Sequence, residues 1–260
     1  MHALLARRLA LATGFAVGVP NYRLTSAASP LQHPAHAEDV LSALSFLLSW
    51  HGPLPLGAHT PKLPYDRTKL FLVGHSCGAH IIASIVLDSS KVTPSLTPHT
   101  TSAGVSHTPH LLSAIQGIVV SEGIYDLDLL ISSFPDYDKM FIAPAFGPRD
   151  SYAPFSVTEY PLRQHKDITG NDGKHIQWLI IQSKGDTLID LMQAEAMYKH
   201  LQQLYSNVDG DVTTAQAEET VDHAKTVSKD WDSLDVDHDG VPEGEQYVEI
   251  IRKFVADILS

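Results

Sequence analysis

The 260-residue sequence has one cysteine, Cys77, and no Asn-x-Ser/Thr acceptor site. An internal disulfide is therefore excluded, nothing marks the chain for N-glycosylation, and a reducing compartment, the cytoplasm, is the expected location. No apolar run reaches about 18 residues, the length that marks a membrane-spanning helix. Charged residues are scarce at 18%, against 43% hydrophobic, a balance that excludes an extended disordered chain, a coiled coil and a collagen-like chain. Basic residues are scarcer still. With 18 Lys+Arg against 30 Asp+Glu the net charge is −12, which argues against nucleic acid or an anionic membrane as the main partner. That charge is local: thirteen acids and two lysines stand between residues 205 and 249, whereas no acid precedes Glu38.

What is present reads as one α/β domain over residues 1–260, long enough to bury roughly three quarters of its unfolded surface. The basic, apolar opening is read as an amphipathic helix over 3–12 running into a strand at 15–22, rather than as a targeting segment. Helical periodicity follows at 36–50, with Val40, Leu44, Leu47 and Leu48 on one stripe. Then come a continuously apolar strand at 69–74, a helix at 79–87, strands at 114–123 and 176–183, and helices at 188–204 and 247–259. Strand and helix in alternation predict a mostly parallel sheet with helices on both faces. Two stretches break the rhythm: a Ser/Thr/Pro/His-rich loop at 89–110 and the acidic insertion at 205–245.

The strand at 69–74 ends in Gly74-His75-Ser76-Cys77-Gly78, with a helix following at once. G-x-S-x-G between a strand and a helix is a nucleophile elbow: Ser76 sits in a strained turn, small residues at Gly74 and Gly78 permit close approach, and the hydroxyl projects above the sheet. The backbone N–H of Cys77, at the helix start, becomes an oxyanion donor. A serine nucleophile needs a base oriented by a carboxylate, in the chain order Ser, Asp/Glu, His. Asp186 lies on the loop after the strand at 176–183, its alternative role being to cap the next helix. His238, just before the last helix, is the expected base. His223 is its rival, and His200 lies too far back within a helix. The segment 235–246 matches the opening of a calcium loop at Asp235, Asp237, Asp239 and Gly240. It fails at the twelfth position, Gln246, and carries Pro242 at the apolar eighth, so no metal is expected.

The strings LARRLALATGFAVGVPNYRLT, HPAHAEDVLSALSFL, LFLVGHSCGAH and EGIYDLDLLISSFPDY with FIAPAFG, and HDGV before the last helix, span almost the whole chain. Together they resemble the kynurenine formamidase (arylformamidase) group of α/β-hydrolases, especially its fungal members. The resemblance implies an α/β-hydrolase fold and cofactor-free hydrolysis of N-formyl-L-kynurenine to L-kynurenine and formate in tryptophan catabolism, with Ser76, Asp186 and His238 at the triad positions. The substrate expected is a small molecule, an aryl formamide or ester. Esterase or lipase activity on small esters, and a catalytically impaired homologue, are the alternatives.

One departure stands out. The family's HGG motif, whose backbone N–H groups complete the oxyanion hole, is absent; His51-Gly52-Pro53 follows a helix and does not substitute for it. Aligned by eye, the first three strands are missing as well, so an N-terminally incomplete sequence or a truncated paralogue is expected. The strand at 15–22 then lacks the neighbour that joins it to the strand at 69–74. Either it slides into the vacant place or a gap stays open, and an unpaired strand of this kind invites association into a homo-oligomer.

Overall fold

The structure is a computed structural model that describes residues 2–53, 63–98, 110–163, 173–206 and 226–260. Its sheet has four strands, β1 (Leu70–His75), β2 (Ile115–Ser121), β3 (Gln177–Ile181) and β4 (Val227–Asp230), all parallel and in the order β1-β2-β3-β4. Parallel neighbours require crossovers, and helices supply them. The helices are α1 (His2–Thr13), α2 (Ala35–Ser49), α3 (Cys77–Val86), the short α4 (Leu111–Ala114), α5 (Leu127–Ser133), the short α6 (Ala143–Phe146), α7 (Leu191–Ser206) and α8 (Glu245–Leu259).

Two cores sandwich the sheet. On one face Leu44 and Leu48 of α2, Ile81 and Ile85 of α3 and Met197 and Leu201 of α7 pack with Ile118, Val120, Trp178 and Ile180. On the other, Leu9 of α1 and Val248, Ile251 and Val255 of α8 pack with Val119, Leu179 and Ile181. The one-turn spacing of Val248, Ile251 and Val255 is what makes α8 an amphipathic helix with a single buried stripe. Burial on both faces explains why β2 and β3 are apolar without alternation over 117–120 and 178–181. A third cluster, with Leu127, Leu130, Ile142, Tyr152, Phe155 and Ile189, caps the end of the sheet where the strands finish. Among the described residues no helix is long and apolar enough to cross a membrane.

The expected strand at 15–22 is not a strand. These residues carry no sheet pairing, and most of them are exposed, Val17 and Val19 included. A β-segment needs a neighbour to take its N–H and C=O groups. The outer edge of β1 pairs with no described strand. The segment is instead pinned at its ends: the Phe15 ring lies 5.8 Å from that of Phe71, and Tyr22 packs against the α2/α3 core. Conversely β4 was not expected. Val227–Asp230 is polar on its exposed side, as an edge strand is, and only its backbone pairing with β3 reveals it. Residues 99–109 of the Ser/Thr/Pro/His-rich loop and 207–225 of the acidic insertion lie outside the described residues.

Candidate active site

Four residues leave the C-terminal ends of the four successive strands or the loops that follow them: Ser76 after β1, Glu122 after β2, Asp186 after β3 and His238 after β4. In a parallel sheet this is the edge at which sites are built. Ser76 has φ 55° and ψ −124°, a conformation that L-residues avoid, and its N–H donates to the Ser121 carbonyl at 2.9 Å. Gly74 makes the turn sterically possible: a Cβ there would lie 2.7 Å from the Gly78 carbonyl oxygen and 2.8 Å from Ile82 Cδ1. A Cβ at Gly78 would meet nothing within 4 Å, so the close approach expected of both glycines rests on Gly74 alone. Cys77 opens α3 and is exposed, its Sγ 3.5 Å from the Tyr22 hydroxyl.

Asp186 and His238 meet. The His238 Nδ1–H donates to Asp186 Oδ2 at 2.7 Å, the Asp186 side chain being wholly buried in the contact. This bond fixes the tautomer of the neutral ring and leaves Nε2 as the acceptor. Asp186 also plays the capping role weighed against catalysis, because Oδ1 accepts the N–H groups of Leu188 (2.7 Å) and Ile189 (3.1 Å). The two carboxylate oxygens divide the duties. Ser183 stitches the two loops together, its Oγ accepting the Val236 N–H at 2.9 Å and donating to the Val236 carbonyl at 2.6 Å. Gly185 sits so close to that strip that a Cβ would fall 2.7 Å from the Val236 carbonyl oxygen.

Two further residues belong to the site and escape sequence reasoning. His75 lies 4.6 Å, centroid to centroid, from His238, and its Nδ1 is 3.1 Å from Ser121 Oγ, which in turn is 2.8 Å from the Tyr247 hydroxyl. Burial, with the neighbouring His238, lowers the His75 pKa to about 4, so its ring is neutral at pH 7. Glu122 is fully buried, has φ 48°, accepts the Ser183 N–H at 2.8 Å and is in hydrogen-bond contact with Asp186. Burial first, and that contact second, push its pKa up to about 9. Burial works to raise Asp186 too, but hydrogen bonds from His238 and Glu122 and from the N–H groups of Ile189 and Leu188 hold it down at about 2. The pKa values of these two neighbouring carboxyl groups are thus pushed in opposite directions.

The rival base and the residues set aside in the sequence fall elsewhere. His200 bonds the Tyr160 carbonyl at 2.8 Å from within α7, and His223 lies outside the described residues. In the calcium-like segment the Asp237 carboxylate accepts the Gly240 N–H at 2.7 Å, closing a local turn. Among the described residues no group of three or more His, Cys, Asp or Glu is arranged to hold a metal ion. His51, Gly52 and Pro53 trail the end of α2.

This arrangement has relatives. The chain is 29% identical over 182 residues to a kynurenine formamidase of Meyerozyma guilliermondii, covering 70% of this chain and 57% of that protein. It is 25% identical over 217 residues to a kynurenine formamidase of Debaryomyces hansenii, covering 70% of this chain and 66% of that one. The aligned part thus spans less than two thirds of either curated relative. Among solved structures, esterase B from Lactobacillus rhamnosis superposes with a TM-score of 0.56 at 12% identity, over 92% of this chain and 63% of that one, a likeness of fold. A family model for the alpha/beta hydrolase fold matches residues 1–224, and the chain belongs to that family.

Proposed function

We propose that the protein is a serine hydrolase of the kynurenine formamidase type, acting on an N-formyl aryl amine such as N-formyl-L-kynurenine. The observation that carries the reading is the 2.7 Å bond from His238 to Asp186, at the same sheet edge as the strained Ser76 turn. In this mechanism His238 Nε2 takes the Ser76 proton as Oγ attacks the formyl carbonyl. Asp186 stabilises the imidazolium without itself becoming protonated. The Cys77 N–H, at the start of α3, donates to the tetrahedral oxyanion. His238 then protonates the departing aryl amine nitrogen, and water, deprotonated by the same ring, releases formate from the formyl-serine.

An aromatic patch favours an aryl substrate over a short aliphatic ester. Phe134 stacks on Tyr137 at 4.9 Å, Tyr137 packs on Phe141 at 4.7 Å, and the Tyr137 hydroxyl donates to the Leu188 carbonyl, two residues from Asp186. Losing one oxyanion donor costs on the order of 10²- to 10³-fold in turnover, so the rate is expected to depend on a second N–H donor beside that of Cys77. The lone, exposed Cys77 suits a reducing cytoplasm. Hydrolysis of N-formyl-L-kynurenine measured beside a short p-nitrophenyl ester, with fluorophosphonate labelling of Ser76, tests the function. Preference for the ester makes the protein an esterase, and an unlabelled Ser76 makes it no serine hydrolase.

A further inference from the structure

Glu122 has no place in the mechanism above, yet it is the most constrained acid of the site. It is fully buried, and it follows β2 in a left-handed conformation that glycine adopts more readily. One carboxyl oxygen accepts the Ser183 N–H; Oε2 is buried and meets no N–H or O–H donor among the described residues. What faces it is the Asp186 carboxylate from the loop after β3, with His238 beyond. Tyr125 stands on its own side and Tyr247 comes from α8, both buried. None of these neighbours is a lysine or arginine that would balance a second negative charge. A carboxyl group in hydrogen-bond contact with an ionised carboxylate, and without a cation, is the donor of that bond.

We propose that Glu122 is kept as the neutral acid and donates its proton to Asp186, acting as a positioning residue that aims Asp186 at His238. The inference rests on the reading of Ser76, Asp186 and His238 as a triad. It separates from a merely structural buried acid because Asp186 needs only a hydrogen-bond donor at this place: the N–H of an amide of the same shape serves as well as the O–H of the acid, while an ionised Glu122 does not. With the pKa raised to about 9, the donor is present at neutral pH and lost as pH rises through that value.

The test compares wild type, Glu122→Gln and Glu122→Ala by the rate of fluorophosphonate labelling at Ser76 against pH. Carbon-13 NMR of labelled glutamate carboxyls provides a readout independent of activity. Expected are a Glu122 carboxyl still protonated at pH 7, wild-type labelling that declines above about pH 9, Glu122→Gln close to wild type at pH 7 and free of that decline, and Glu122→Ala slower by about ten- to a hundredfold. A Glu122 signal that titrates in the ordinary carboxylate range overturns the proposal. So does a Glu122→Gln variant that is as slow as Glu122→Ala or keeps the alkaline decline. If wild-type Ser76 takes no label at any pH, the triad reading itself fails, and the NMR titration still reports whether the proton is on Glu122.

Discussion

The imidazole rings of His75 and His238 stand 4.6 Å apart and tilted by 46°, with His75 the residue immediately before Ser76. The proposed base therefore works against the face of a ring that is itself neutral. A neutral aromatic face stabilises the imidazolium formed in turnover by about 0.5–2 kcal/mol, whereas a second cation opposes it. We expect His75→Phe to keep kcat within about threefold, His75→Ala to lower it by about tenfold, and His75→Lys to shift the acid limb of the pH–rate profile to lower pH. Equal profiles for Phe and Lys would remove the ring from the account.

The Asp186–His238 bond gives the largest expected effect. Asp186→Asn reverses the hydrogen bond and stabilises the wrong tautomer, and His238→Ala removes the base; each lowers kcat by on the order of 10⁴-fold. His223→Ala is expected to leave it unchanged. Steady-state kinetics on the three variants decides the base, and a loss with His223→Ala but not with His238→Ala would reassign it.

Gly185 holds the two loops in register. Because an added Cβ would lie 2.7 Å from the Val236 carbonyl oxygen and 2.8 Å from its carbon, backbone rather than a flexible side chain must give way. Gly185→Ala is expected to cost about 1–3 kcal/mol in urea unfolding. It should lower kcat more than KM, since Val236 lies two residues before His238. Retained stability together with full activity would mean that the loops are looser than their packing implies.

Three histidines are expected to weaken the fold in acid. Burial lowers His33 to about 2 and His75 and His80 to about 4, against an ordinary value of 6.5. Below pH 6.5 the unfolded chain binds protons that the folded chain does not, so the stability they contribute is complete above that value and falls as pH drops toward 4. His33 packs among His80, Phe146 and Phe155 at ring distances of 5.4, 5.0 and 6.0 Å. Replacing it with Phe is expected to reduce the slope of unfolding free energy between pH 6.5 and 4 by one proton, read by urea titration at several pH values.

Much of this site was legible in the sequence, for a physical reason. The elbow is local, an apolar strand, two glycines and a helix start within a dozen residues, and Asp186 and His238 follow from the chain order that a parallel sheet imposes on loops at one edge. Glu122 was not legible. In Ser-Glu-Gly it is an ordinary polar residue, and only the approach of the loop after β3 buries it against Asp186. The segment 15–22 erred in the other direction: Phe-Ala-Val-Gly-Val has strand composition, but pairing belongs to the neighbour as much as to the residue, and none is there among the described residues. For β4 the composition hid what pairing shows. Val-Ser-Lys-Asp is too short and polar to announce an edge strand.

Ser76 and Glu122 are the two non-glycine residues with positive φ among those described, and they end adjacent strands at the same edge of the sheet. Each such residue costs of order 1 kcal/mol that glycine would recover. Glycine at either position relaxes the backbone and at the same time removes the Ser76 hydroxyl or the Glu122 carboxyl. The backbone strain of the described fold thus falls on the proposed nucleophile and on the acid beside Asp186, where glycine could relieve it only by removing the side chains that the proposed site uses.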